Sequence, residues 1–188
     1  MAWTRGTETT KEAVDARLKI IGGDMLKIEY LENCLKNPQQ TMDVRRVILI
    51  KLSDLYERRL MFGEAAKQMD AAAAAAVTFK DKMELYMLTT QLCIKHGDYV
   101  KADDAFKKSL ASANTREREE LKQKIKILYL AKSKDFEKSQ RFNNAIKVIE
   151  KLFSMNILTE SERQAEQKRL ANFYARIGKI PEAMRLGG

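Results

Sequence analysis

The stretch Leu88-Thr89-Thr90-Gln91-Leu92-Cys93-Ile94-Lys95-His96-Gly97-Asp98-Tyr99-Val100-Lys101-Ala102-Asp103-Asp104-Ala105-Phe106 spells out a helix, a turn and a second helix. Leu88, Thr89 and Leu92 share one helical face, Gly97-Asp98 interrupts it, and Tyr99, Ala102 and Phe106 resume a 3.6-residue period. Alanine at the centre of the second face lets two helices approach closely. The same order recurs on both sides of this segment. It appears upstream as Leu52-Ser53, Tyr56, Phe62, Ala65, Met69, and downstream more loosely as Ser133, Phe136, Phe142, Ala145, Ile149. A last copy reads Leu170-Ala171, Tyr174, Gly178, Ile180, Ala183. Four copies of one spacing predict helix hairpins over about residues 42–78, 79–113, 115–154 and 159–188.

Residues 1–41 lack that signature but are amphipathic, and they read as an N-terminal helical hairpin or cap. Thr9 or Thr10 can cap a first helix that ends at Gly22-Gly23, and Asp24 opens a second that stops near Pro38. Further starts are legible at Thr41, at Thr115 and at Thr159, where Glu162 three residues on completes a capping-box pattern. The chain has 188 residues with two prolines and eight glycines, and it is 45% hydrophobic and 32% charged. That composition suits an all-helical protein.

From about residue 42 onward the chain resembles the tetratricopeptide-repeat family, with Gly97-Asp98-Tyr99 and Ala102 as its best-matched turn and second helix. The resemblance implies an all-α, right-handed solenoid of antiparallel helix hairpins, about nine helices in total. It also implies a concave surface, lined by the first helix of each hairpin, that grips a peptide or helix of a partner protein. Outward positions on those helices are Lys51, Arg58, Tyr86, Lys134, Lys138, Lys168, Asn172 and Arg176. Lys168 and Asn172, one turn apart, resemble the start of the family's carboxylate clamp. The alanines Ala65, Ala102, Ala145 and Ala183 stand 37, 43 and 38 residues apart, against a family period of about 34, so a regular superhelix is not expected.

The net charge of +9 is uneven: residues 1–115 hold 18 Lys+Arg against 16 Asp+Glu, and residues 116–188 hold 17 against 10. A basic C-terminal third favours acidic partners, which leaves two readings open. One is a protein-binding scaffold, including one for an acidic partner. The other is an RNA- or ribosome-associated factor using Lys122, Lys124, Lys126, Lys132, Lys134, Lys138 and Arg141. No phosphate loop, paired catalytic carboxylates or nucleophile motif is present, so no enzyme activity and no cofactor are expected. His96 and Cys93 share a helix end without the further ligands that zinc takes, and no metal site is expected there. Cys34 and Cys93 are too few for a disulfide framework. With no apolar leader and no run approaching the roughly 20 residues of a membrane span, the expected location is cytoplasmic. The last helix carries Leu170, Phe173, Tyr174 and Ile177 before a short stub. Phe173 and Ile177 are therefore expected at an exposed C-terminal interaction surface, serving homodimerisation or a partner helix.

Overall fold

The computed structural model describes residues 6–187, so Trp3, the one N-terminal aromatic, lies outside the described residues. Threonine caps set the helix starts. The hydroxyl oxygens of Thr10, Thr41, Thr78 and Thr159 each accept a hydrogen bond from the backbone N–H three residues on, and Glu162 returns the bond to Thr159. These caps satisfy donors that an isolated helix start leaves unpaired.

Ten helices follow among the described residues: α1 (Lys11–Ile20), α2 (Asp24–Leu35), α3 (Met42–Arg58), α4 (Phe62–Ala74), α5 (Phe79–His96), α6 (Tyr99–Ala111), α7 (Thr115–Lys138), α8 (Phe142–Ser154), α9 (Glu160–Arg176) and α10 (Ile180–Gly187). The described residues are all-α, with neighbouring helices packed in series from α2 to α6 and from α7 to α10. The tenth helix is the stub after Gly178, long enough to form two turns. The chain divides into two units at Asn114: one holds the N-terminal cap and the first two hairpins, the other the last two.

A single turn geometry joins each hairpin. Leu60, Gly97, Gln140 and Gly178 are all left-handed, with φ of 59°, 94°, 57° and 79°. In every case the next residue's N–H bonds back to the carbonyl five residues before it: Met61 to Tyr56, Asp98 to Cys93, Arg141 to Phe136 and Lys179 to Tyr174, at 2.8–3.0 Å. The left-handed residue itself bonds three residues back, to Glu57, Ile94, Glu137 and Ala175. This double bond satisfies carbonyls at the helix end and reverses the chain. Each left-handed residue lies five positions before one of the spaced alanines, so turn and close contact repeat as one block. The uneven period therefore comes from helix length, above all the 24 residues of α7 against 17 and 18 in α3 and α5.

Within the first unit α3, α4, α5 and α6 pack in series. Ala65 is fully buried, and its carbonyl accepts a 2.9 Å hydrogen bond from the hydroxyl of Ser53, the small residue facing it. The polyalanine segment is one-sided, with Ala72, Ala73 and Ala76 buried and Ala71 and Ala74 exposed. At the N-terminus Ile28 stands five residues after Gly23, where the later hairpins place alanine. A bulkier residue there goes with a looser arrangement: α2 packs on α3, and the Arg45 guanidinium closes the end of α2 by donating to the Leu35 carbonyl at 3.1 Å.

In the second unit the core is Ala145, Ile146, Ile149, Leu170 and Phe173, with Phe142 stacked 5.6 Å from Phe173. Here the structure corrects the sequence reading. Phe173 is only 1% exposed, and Ile177 is half-buried against the same core, because α8 supplies the wall and Leu186 of α10 closes the edge. Two turns of α10 are enough cover. The apolar side chains left outward at this end are Ile180 and Met184.

The turns generate a prediction of opposite signs. Gln140 is exposed and carries the strain of a side chain in the left-handed region. Gln140→Gly should therefore stabilise the protein by about 0.5–1 kcal/mol, and Gly97→Ala should cost about 1 kcal/mol. Urea unfolding of both variants measures this; a loss of stability in Gln140→Gly would refute the account of the turn.

Candidate functional site

Within each unit, first helices are joined by ion pairs between residues about one repeat apart. Lys51 of α3 meets Asp15 of α1 at 2.6 Å, Arg46 of α3 meets Asp81 of α5 at 3.3 Å, and Lys95 of α5 meets Glu57 of α3 at 2.5 Å. In the second unit Lys126 of α7 donates to both carboxylate oxygens of Glu162 on α9, at 2.9 and 3.1 Å. Arg169 of α9 reaches Glu137 of α7 at 2.6 Å and the Ser133 hydroxyl at 3.4 Å, while also pairing with Glu166 of its own helix. Hydrogen bonds to Glu166 and Glu137 outweigh the effect of burial on this guanidinium and hold its pKa above the ordinary arginine value.

These seams decide which predicted residues are available to a partner. Lys51 is a seam residue, and Arg58 pairs with Asp24 at the start of α2. Tyr86 is turned toward the second helix of its hairpin, where the Lys108 ammonium lies 5.1 Å from its ring. Thr90, one turn further, is fully buried with its hydroxyl donating to the Tyr86 carbonyl. Of the first unit's share of the predicted surface, Lys51 and Tyr86 are thus committed to internal contacts, while Arg58 stays exposed beside Asp24. Spacing identifies the helix but not which of its outward positions a neighbour will cover.

The second unit keeps its share. Lys134, Lys138, Lys168, Asn172 and Arg176 are all exposed. Lys134 and Lys138 follow the seam residues Ser133 and Glu137 by one position, a rotation of about 100° to one side. On α9, parallel to α7, Lys168 precedes Arg169 by one, and Asn172 and Arg176 follow on the same ridge. The two rows therefore flank one side of the seam, while α8 covers the other. Arg176 Nε also donates to the side-chain Oδ1 of Asn172 at 3.4 Å, and its guanidinium lies 5.2 Å from the Phe142 ring. Three other cations of the basic third are already engaged. Lys126 is buried in its pair, Lys122 pairs with Glu119 at 2.6 Å, and burial lowers the pKa of Lys132, which lies 4.9 Å from the Phe136 ring.

Sequence reasoning missed a groove of about 410 Å³ in the first unit, walled by α4 and α6 with α5 as its floor. The small residues Gly63, Ala66 and Ala105 open it, and Lys108 spans it to Asp70 at 3.2 Å. The absent side chain of Gly63 matters here, because a Cβ would sit 3.1 Å from the His96 ring. Cys93 at the floor is buried, and burial, with Asp98 adding to it, pushes its pKa up to about 11, so it stays a neutral thiol. Among the described residues no three His, Cys, Asp or Glu side chains are grouped to hold a metal, and no helix is long and apolar enough to cross a membrane.

No protein-family model matches the chain, and no curated protein matches it. Among solved structures it is similar to the crystal structure of MamA, at 14% identity and a TM-score of 0.41, over 94% of this chain and 88% of that one.

The α7–α9 seam has a pH signature. Hydrogen bonds from Lys126 and the Thr159 backbone hold the Glu162 carboxyl below its ordinary 4.5. Its contribution to stability is present above that pH and is lost as pH falls through the lower folded-state value. Thermal melts from pH 6 to pH 3 should therefore lose less stability in Lys126→Met than in the parent chain. An equal loss in both would show that this pair does not contribute.

Proposed function

We propose that this protein is a non-enzymatic protein–protein interaction scaffold that binds a peptide or helix of a partner. The observation that carries this reading is the α7–α9 face. Five of the residues expected on the first-helix surface lie exposed on one side of a seam whose other polar groups are already paired. The tetratricopeptide-repeat resemblance supports the same mode, in which a partner's segment lies along first helices. A cytoplasmic location and association through the acidic part of a partner belong to this proposal.

Association with RNA or the ribosome is the second reading, favoured by the excess of 17 Lys+Arg over 10 Asp+Glu in residues 116–188. Burial of Lys126 and the local partners of Lys122 and Lys132 reduce the cations available for phosphate contact, which weighs toward the protein-binding reading.

A photo-crosslinking amino acid placed at Asn172, compared with one at the exposed Lys147 of α8, separates the two. The scaffold reading expects a discrete protein adduct from position 172 that survives nuclease and is absent from position 147. Adducts that vanish with nuclease, or that form equally at both positions, overturn it.

A further inference from the structure

We propose that the α7–α9 face docks an acidic amphipathic helix through its internal carboxylates and one apolar side chain. This rests on the scaffold reading and names the chemistry of its partner. Between Ile127 and Lys138 on α7, and between Ala165 and Arg176 on α9, the positions on this side of the seam hold Lys134, Lys138, Lys168 and Arg176 and no carboxylate. Glu137 of α7 lies in the seam, tied to Arg169 at 2.6 Å. Cations one turn apart on α7, and two turns apart on α9 with Asn172 between them, match carboxylates at four- and eight-residue spacings on a helix laid along the trough.

A second observation supplies the apolar contact. Ile127 is 62% exposed on the same side of α7, seven residues before Lys134, or about 10 Å along the axis. A large β-branched side chain left in water beside a cationic row is the complement of a helix that carries an apolar residue two turns from its acids.

The aromatic groups decide against a single nucleic-acid strand as the occupant. Such recognition stacks bases on exposed rings. In the second unit Tyr129 and Phe173 are buried, and Phe136 carries Lys132 and Arg141 over its ring at 4.9 and 5.2 Å. Phe142 lies under Arg176, Phe153 under Arg163, and Tyr174 under Lys179. No ring is presented on the α7–α9 face. A terminal-carboxylate clamp is also disfavoured, because the cations extend along two rows instead of converging on one point.

The probe is a fluorescent helical peptide, acetylated and amidated, with glutamates four residues apart and one leucine two turns before them. Anisotropy should show saturable binding to the full chain that weakens with salt. Lys134→Glu with Lys138→Glu, and separately Lys168→Glu with Arg176→Glu, should each weaken it by about tenfold or more, and Ile127→Asp should weaken it further. Lys80→Glu with Lys107→Glu, an equal charge change at exposed positions of the first unit, should leave it unchanged. The glutamine versions of the two α7 substitutions, with melting followed by circular dichroism, separate lost binding from lost fold. Equal weakening by the control pair would reduce the effect to non-specific attraction and overturn the proposal. So would a requirement for a free C-terminus. Equal binding of a neutral helix that is lost on Ile127→Asp would leave the scaffold reading standing and remove the acidic partner. Tighter binding of oligouridine or duplex RNA through the same lysines, or no binding of any peptide, would remove both.

Discussion

The four hairpins from α3 to α10 depend on a left-handed residue placed five positions before a small one. The left-handed residue ends a helix, lets the chain bond back to two carbonyls and fixes the direction in which the next helix departs. The alanine then sets how near the two helices come. Because both belong to one block, the block can be moved along the sequence without loss, and the chain tolerates spacings of 37, 43 and 38 between copies. Lengthening α7 displaces the turn and the alanine together. Glycine fills the left-handed position twice, at Gly97 and Gly178, and Leu60 and Gln140 fill it at a cost of about 1 kcal/mol each. Four equal turns form because the two carbonyl bonds and the packing beyond them offset that cost.

Electrostatics organises the next level. Within each unit, first helices do not rely on apolar contact alone; they are joined by ion pairs roughly one repeat apart, such as Asp15–Lys51 in the first and Lys126–Glu162 in the second. Exposed pairs of this type contribute little individually, typically under about 1 kcal/mol. Their larger effect is on alignment. A misaligned seam would leave Lys126 buried without its carboxylate, and a half-satisfied buried charge is more costly than the intact pair is favourable. The seam thereby fixes which side chains lie between helices and which remain on the rim.

The two units use the same positions differently for that reason. In the first, acids on α1 and α2 lie beside Lys51 and Arg58 and engage them. In the second, the row after Ser133 and Glu137 has no facing acid, so Lys134 and Lys138 stay exposed together with Lys168 and Arg176. The excess of positive charge in residues 116–188 is thus not spread evenly over the surface. Part is consumed inside the seam and over aromatic rings, and Lys134, Lys138 and Lys168 line one side of α7 and α9, while Lys147 is exposed on α8.

Thr115, expected as a cap, is itself the first residue of α7, and Thr78 caps α5 without being expected to. The sequence by itself determined the helical class, the four hairpins and their alanines, the caps at Thr10, Thr41 and Thr159 and the location of excess charge. Each of these is a local matter: a period of 3.6, a residue that ends a helix, a hydroxyl that caps one. It did not reveal Leu60 and Gln140 as turn residues, since neither has the glycine that marks that conformation and only their equivalence to Gly97 and Gly178 exposes them. Nor could it separate Lys51 from Lys134. Both are lysines at outward helical positions, and whether an acid from another helix meets them depends on contacts about 36 residues away in sequence. For the same reason Phe173 read as exposed, although a two-turn helix and α8 bury it. Helix identity is a short-range property, whereas exposure is decided by what the chain brings back to each face.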